Sequence, residues 1–246
     1  MAERKSPPKS TATKRGQKSV RARAVAPAAV TEKLPADTRE ALLVSARRVF
    51  AAKGFEGATV KDLAEGAGVN VSLVSYHFGG KEGLYRNCLE SFGAERAEAS
   101  ERILRSPASR EEFVLRLQLF AEDFIEYNLR NADACKVVNR AMESVDGILA
   151  DVFKKFFVRV YYALHSFVQS AQKNGFLRPE LDTDITCALM FGSLMHCLRS
   201  HDLAKLMGKP TLDDLGYRTR LIDHWIKNQT QGIFAPPSGA DRRDNS

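Results

Sequence analysis

Nothing in this chain of 246 residues runs to the roughly 18 consecutive apolar residues that a membrane-spanning helix needs. Cysteine is scarce: Cys88, Cys135, Cys187 and Cys197 make no C-x-x-C pair and have no histidine at zinc-ligand spacing. They read as reduced, small apolar groups of a cytoplasmic protein, which excludes a disulfide framework and a zinc site. No stretch alternates polar and apolar residues with period two, so no sheet is expected. H-E-x-x-H, G-x-S-x-G and P-loop patterns are missing, and His196 and His201 stand five apart, off a common helical face. No catalytic centre, metal or cofactor is therefore expected. The N-terminus is basic, yet residues 24–30 are too short an apolar run, and broken by Pro27, for the core of a secretory leader. Its arginine-rich, acid-poor composition also suits an organellar transit peptide.

Positive charge is what the chain does have, and it is unevenly placed. Residues 1–36 hold nine Lys and Arg against Glu3 and Glu32, which accounts for the whole formal excess of +7. Residues 37–246 sum to zero. The leader is rich in Lys, Arg, Ala, Pro and Ser without an apolar period, so it cannot bury enough surface to offset the entropy of ordering. Residues 1–36 are expected to be a disordered basic tail and 235–246 a polar one.

Between the tails the periodicity is helical. Asp37-x-x-Glu40 has the pattern of a capping box, and Leu42, Leu43, Ala46, Val49 and Phe50 recur on one helical face. Gly54 supplies a left-handed cap on which Phe55 folds back. Thr59-x-x-Asp62 caps a short second helix that Gly66-Ala67-Gly68 ends, and Asn70 caps a third. Further helices are expected over 81–105, 109–130, 132–144, 147–174, 182–207 and 211–230, punctuated by Ser106-Pro107, Asp146-Gly147, Asn174-Gly175 and Gly208-Lys209-Pro210. The expected fold is all-α, with a small three-helix domain over 37–80 and a larger helical domain over 81–234.

In the third helix Val74 and Phe78 stand at i and i+4 and face inward, with Val69 ahead of the cap. Val71, Ser72, Leu73, Ser75 and Tyr76 are left outward, with His77 at the edge. Val71 and Leu73 gain nothing from water, but in a DNA major groove they can meet thymine methyl groups. Ser72 and Ser75 permit close approach, and Tyr76 and His77 are long enough to reach flanking phosphates. Lys81 stands at a helix start, where charge and free N–H groups favour an anion. Plainer readings exist for each: Thr59 and Asn70 as caps first, Val71 and Leu73 as packing against a loop, His77 as filler of the junction with the fourth helix.

Taken together, Ala51-x-x-Gly54-Phe55, Thr59-Val60-x-Asp62-Leu63-Ala64, Ala67-Gly68-Val69, His77-Phe78 and Lys81-Glu82-x-Leu84-Tyr85 resemble the N-terminal domain of the tetracycline-repressor-like (TetR) family of transcriptional regulators. The resemblance covers residues 38–85. It implies a helix-turn-helix head followed by an all-helical effector-binding and dimerisation domain. By position it implies that Lys61 contacts bases or phosphates, that Val71, Ser72, Leu73 and Tyr76 enter the groove, and that His77 and Lys81 hold the DNA backbone. Ser75 departs from the pattern, since the family usually has a Tyr there, a contact that Tyr76 could take over. Beside such a head, the basic leader reads as an arm that binds phosphates without regard to sequence.

Along 147–174, Ile148, Val152, Phe153, Phe156, Val160, Leu164, Phe167 and Ala171 keep a three/four spacing, and Phe157, Tyr161 and His165 widen that face. Such a helix can line a pocket for an apolar small-molecule effector through Phe157, Tyr161, His165 and Gln169; an aromatic core with satisfied polar tips is the plainer alternative. Residues 175–182 resemble the family's loop before its first dimerisation helix. Leu189, Gly192 and Ser193, with Leu215, Ile222 and Trp225, are expected to build a four-helix homodimer interface that suits a palindromic operator on double-stranded DNA. The expected protein is a ligand-responsive, sequence-specific DNA-binding repressor released by its effector, with no membrane partner. The alternative is a dimeric interaction or ligand-sensing protein whose head has lost DNA binding, favoured by Ser75 and by the near balance of seven basic and six acidic groups over residues 37–86.

Overall fold

The structure, a computed structural model, describes residues 35–143 and 149–234. Residues 1–34 and 235–246 of the expected tails, residue 144 of the helix expected over 132–144, and residues 147 and 148 of the helix expected from 147 lie outside the described residues. Helix α1 spans Pro35–Gly57. Pro35 opens its first turn, where the missing N–H is no loss and φ is already helical. Asp37 therefore lies inside the helix, its carboxylate near the positive end of the dipole. That corrects its expected role as a cap. The helix kinks at Gly54, whose φ of 73° a side chain would resist. Phe55 turns back so that its ring lies 6.2 Å from Phe50 and 4.9 Å from Tyr85.

Helix α2, Val60–Ala67, has both halves of its capping box: Thr59 Oγ1 accepts from Asp62 N at 3.1 Å, and Asp62 Oδ2 accepts from Thr59 N at 3.0 Å. Gly68 ends it in the left-handed region at φ 67°. Ser45 of α1 donates its buried hydroxyl to Leu63 O at 2.8 Å and so pins α2 to α1. Helix α3, Ser72–Phe78, follows after a tight turn, and α4, Lys81–Ile103, after another. Gly83 lies so close to the end of α3 that a Cβ there would come 1.8 Å from Phe78 O.

The remaining helices are α5 Arg110–Arg130, α6 Ala132–Met142, α7 Ala150–Val152, α8 Val158–Lys173, α9 Thr183–Arg199, α10 His201–Leu206 and α11 Leu215–Thr230. Among the described residues no strand forms beyond an isolated antiparallel bridge between Leu177 and Phe234. The expected all-α class holds. Ser109, Asp182 and Asp214 cap α5, α9 and α11 through their side-chain oxygens. One long helix was expected over 182–207; instead Ser200 divides it, its hydroxyl donating to the carbonyls of His196 and Cys197.

Two hydrophobic cores organise these elements. The first joins Leu42, Phe50, Leu63, Val74 and Phe78 of α1–α3 to Leu84, Leu89 and Phe92 of α4, Val137 of α6 and Phe153. It does not stop at residue 80. The second gathers Phe113, Phe120, Leu164, Phe167, Met190, Leu194 and Trp225 from α5, α8, α9 and α11, with Ala97 of α4. Phe113 and Phe167 stack at 4.7 Å within it. Between α7 and α8 the backbone widens into a π-helical turn, Phe153–Phe157, that the periodicity did not announce. It brings Phe156 and Phe157 against Gly93 of α4, where a Cβ would meet Phe156 Cβ at 2.7 Å and Phe157 Cε2 at 3.1 Å. Gly93→Ala should therefore cost about 1–3 kcal/mol of stability through overpacking. Denaturant unfolding measures this, and an unchanged midpoint would show that the π turn yields freely.

Candidate functional site

The surface of α3 is built on α2. Asn70 Oδ1 accepts from Ser72 N at 2.9 Å and Ser72 Oγ at 2.8 Å in the turn before the helix, whose cap position itself falls one residue later than expected, on Val71. Val74 and Phe78 are buried against the first core. Val71 (45% exposed), Ser72, Ser75 and Tyr76 (79% exposed) face solvent on one side. Leu73 is half-buried and packs partly against the core, so less of it is presented than the outward reading held. His77 is half-buried beside Tyr76, the ring centroids 4.9 Å apart. Thr59 is engaged in the capping box. Lys61 projects from α2, mostly exposed, 3.6 Å from Glu65, which is also exposed. A pair so placed contributes little and leaves the ammonium available.

Lys81 has another occupation. Its Nζ donates to Phe55 O at 2.9 Å and Ala58 O at 3.2 Å and lies 4.3 Å above the Phe55 ring. Those carbonyls follow the kink of α1, and that of Phe55 also accepts from Ala58 N at 3.4 Å. Lys81 thus ties α4 to the end of α1. Arg39, although exposed, is also engaged, donating to Asn87 Oδ1 at 2.8 Å and lying 5.1 Å over Phe78. Lys53 holds Asp62 at 2.8 Å; this bond, with the two from Thr59, lowers the Asp62 carboxyl from 3.8 to about 2.

A cavity of about 320 Å³ opens in the helical body between α4, α5, α6, α8, α9 and the π turn. Phe92, Phe124, Phe153, Phe157, Phe191 and Met195 give it apolar walls, and Tyr161 also lines it. Of the four expected pocket residues it contains Phe157 and Tyr161. His165 instead sits 3.4 Å from Asp184, and exposed Gln169 accepts from Lys173 at 3.3 Å, so neither reaches it. Arg96, Asn128 and Asn139 are lining residues that the sequence reading missed. A signal was there: Arg96 falls four residues after Phe92 on the buried stripe of α4, and Asn128 four after Phe124 on α5. A wider groove of about 460 Å³, rimmed by Lys53, Glu56, Glu82 and Arg140, lies between the end of α1, α4 and α6.

The expected dimer residues divide. Leu189 (65% exposed), Gly192 and Leu215 (66% exposed) are on the surface, and Ile185 (60% exposed) extends the α9 stripe. Ile222 and Trp225 are buried within the chain, and Trp225 Nε1 donates to Ser193 Oγ at 2.8 Å. That bond ties α11 to α9, and the burial of Ile222 and Trp225 corrects their placing on an outer face: the apolar stripe of α11 is covered within the chain, where α11 packs mainly against α5. Burial raises all four thiols, Cys88 and Cys187 to about 12. Among the described residues no helix is long and apolar enough to cross a membrane, and no group of three His, Cys, Asp or Glu could hold a metal.

The family model for bacterial regulatory proteins of the tetR family matches residues 42–88. The probable HTH-type transcriptional regulator YttP of Bacillus subtilis (strain 168) is 25% identical over 138 residues, 55% of this chain and 65% of that protein. The HTH-type transcriptional repressor AcnR of Corynebacterium glutamicum is 41% identical over 64 residues, 26% of this chain and 34% of that one. The chain spans less than two thirds of the length of either relative. Among solved structures, the ketosteroid transcriptional regulator KstR2 of Mycobacterium tuberculosis shares the fold, with a TM-score of 0.63 at 20% identity over 80% of this chain and 95% of that one.

Two outcomes test the roles expected of Tyr76, exposed on α3, and of Lys81, bonded within the chain. Tyr76→Ala should leave thermal unfolding unchanged and weaken DNA binding by about 1–3 kcal/mol, whereas Lys81→Ala should lower the melting temperature. Equal melting temperatures for both would remove Lys81 from the scaffold. The second concerns acid. Because the folded Asp62 carboxyl is lowered from 3.8 to about 2, its stabilising effect is present above the unfolded value and is lost as pH falls from about 4 to about 2. Asp62→Asn should flatten the loss of stability across that window in denaturant titrations followed by circular dichroism; an identical slope would show that Asp62 is not the group responsible.

Proposed function

We propose that this chain, a TetR-family protein by its N-terminal domain and its all-helical fold, is a homodimeric, sequence-specific DNA-binding transcriptional repressor released by a small apolar effector. The observation that carries this reading is the outer face of α3: Val71, Ser72, Ser75 and Tyr76 project together from a helix whose other side is locked into the first core. Methyl groups, small hydroxyls and one long phenol suit base edges and thymine methyls, while Lys61 from α2 is free to meet a phosphate. A transcriptional regulator of this kind works in the cytoplasm.

Dimerisation is proposed through the exposed stripe of α9, Ile185, Leu189 and Gly192, with Leu215 of α11. An isologous pairing there gives two heads and a palindromic operator. Response to effector is proposed to run through α6. Its Val138, Asn139 and Met142 line the cavity, while Arg140 on the same helix donates Nη1 to Phe50 O of α1 at 3.1 Å. A ligand that binds better when α6 is displaced would change how the head sits, and can shift the equilibrium only by that difference in affinity.

The purified full chain should retard a palindromic fragment from near its own gene and hold it against excess unrelated DNA. Binding indifferent to sequence, or failure to select any sequence from a random pool, would favour the alternative of an interaction protein with a degenerate head.

A further inference from the structure

The cavity in the helical body offers carbon and little else. The rings of Phe92, Phe124, Phe153, Phe157 and Phe191 make much of its wall. Its open edge is apolar too, since Met142 (41% exposed) and Val158 (37% exposed) are the lining residues most accessible to solvent. The polar residues of the wall are turned to the chain itself. Arg96 Nη2 donates to Asp123 Oδ2 at 2.7 Å, and its guanidinium lies 4.6 Å from the Tyr127 ring and 5.5 Å from that of Phe124. Asn128 Nδ2 donates to Phe124 O at 2.7 Å, and the Tyr161 hydroxyl to Asp184 O at 3.3 Å. Asn139 gives its Nδ2 to Cys135 Sγ at 3.6 Å. Arg96 Nε and Asn139 Oδ1 are covered by the chain and open onto nothing. Arg96 as a whole is 2% exposed and Asn128 6%, inside the cavity or out.

What such a wall selects follows from transfer out of water. A hydrocarbon that enters exchanges water for rings, methyl groups and a thioether and gives up no hydrogen bond. A hydroxyl or carbonyl loses its water and meets no partner placed for it, so its burial is costly. A carboxylate fares worse. Among the described residues that line the cavity Arg96 is the one cation, and Asp123 already balances it. An entering anion would be an unmatched buried charge. Space sets the scale, since about 320 Å³ holds roughly ten to fifteen non-hydrogen atoms at liquid-like density. We infer that this cavity selects small hydrocarbons, molecules with no polar group at all, and discriminates against alcohols and acids of the same size. This rests on reading the cavity as the effector site.

Propylbenzene, phenethyl alcohol and phenylacetate are nearly equal in size and end their side arms in a methyl, a hydroxyl and a carboxylate. Each is titrated into the full chain without DNA, with the methionine methyl groups isotope-labelled for magnetic resonance. Met142 and Met195 line the cavity, whereas Met207 is an exposed residue outside it. Propylbenzene should move the Met142 and Met195 signals and leave that of Met207 in place. It should bind more tightly than either polar probe by about tenfold to a hundredfold, the scale on which an apolar pocket rejects a hydroxylated isostere. A smaller preference, or tighter binding of either polar probe, overturns the inference. So does propylbenzene at saturation in water that leaves Met142 and Met195 unmoved. Propylbenzene that binds with the expected preference yet leaves a retarded palindromic fragment in place supports the ligand class and counts against the effector reading alone.

Discussion

Burial of one helix by two hydrophobic cores at once governs what this molecule can do. Leu84, Leu89 and Phe92 of α4 close the core beneath the head, and Ala97, barely more than a turn further on, enters the core of the body. Gly93 and Arg96 fall at the border between them. One admits the π turn to close contact, and the other places a cation where the cavity begins. Helix α4 therefore cannot shift along its axis without disturbing packing at both ends. Interiors packed at this density resist gradual deformation, so a displacement is expected to occur between discrete arrangements.

Local chemistry made much of the fold legible. Caps and glycines marked the ends of α2, α4, α5 and α6 and the C-terminal end of α8 within a few residues, and the motifs around Thr59–Tyr85 identified the head. What escaped has physical reasons. Periodicity tells that a helix has an apolar face but not which neighbour covers it, so Ile222 and Trp225 were assigned outward when the packing of α11, mainly on α5, buries them within the chain. A lysine near a helix start looks available to an anion until its ammonium is seen to be bonded to the carbonyls of Phe55 and Ala58. The π turn leaves no compositional trace, because five aromatic and basic residues are as compatible with an ordinary turn. His165 and Gln169 lay one face away from the cavity, an angular error that a broad apolar stripe conceals.

Electrostatics around the head follow from how its cations are used. Lys53, Lys81 and Arg39 are each engaged with an acceptor of the chain itself. The outward side of α3 carries methyl, hydroxyl and phenol groups with no formal charge. In the proposed complex, discrimination would come mainly from shape and methyl contacts, and Lys61 would supply one of the phosphate contacts. Such a surface gains less from counterion release than one studded with lysine, and its affinity should vary less with salt.

The contact at Gly83 has a consequence for the geometry of recognition. Where a Cβ would come 1.8 Å from Phe78 O, the last carbonyl of α3 rests directly on the backbone of α4. Gly79 and Gly80, both at positive φ, make the turn that allows this. With no side chain between them to act as a compressible cushion, the two helices share a fixed elbow. Tyr76 is then aimed by α4 as a tool is aimed by its handle. A tilt of that handle in the body would carry the outer face of α3 with it.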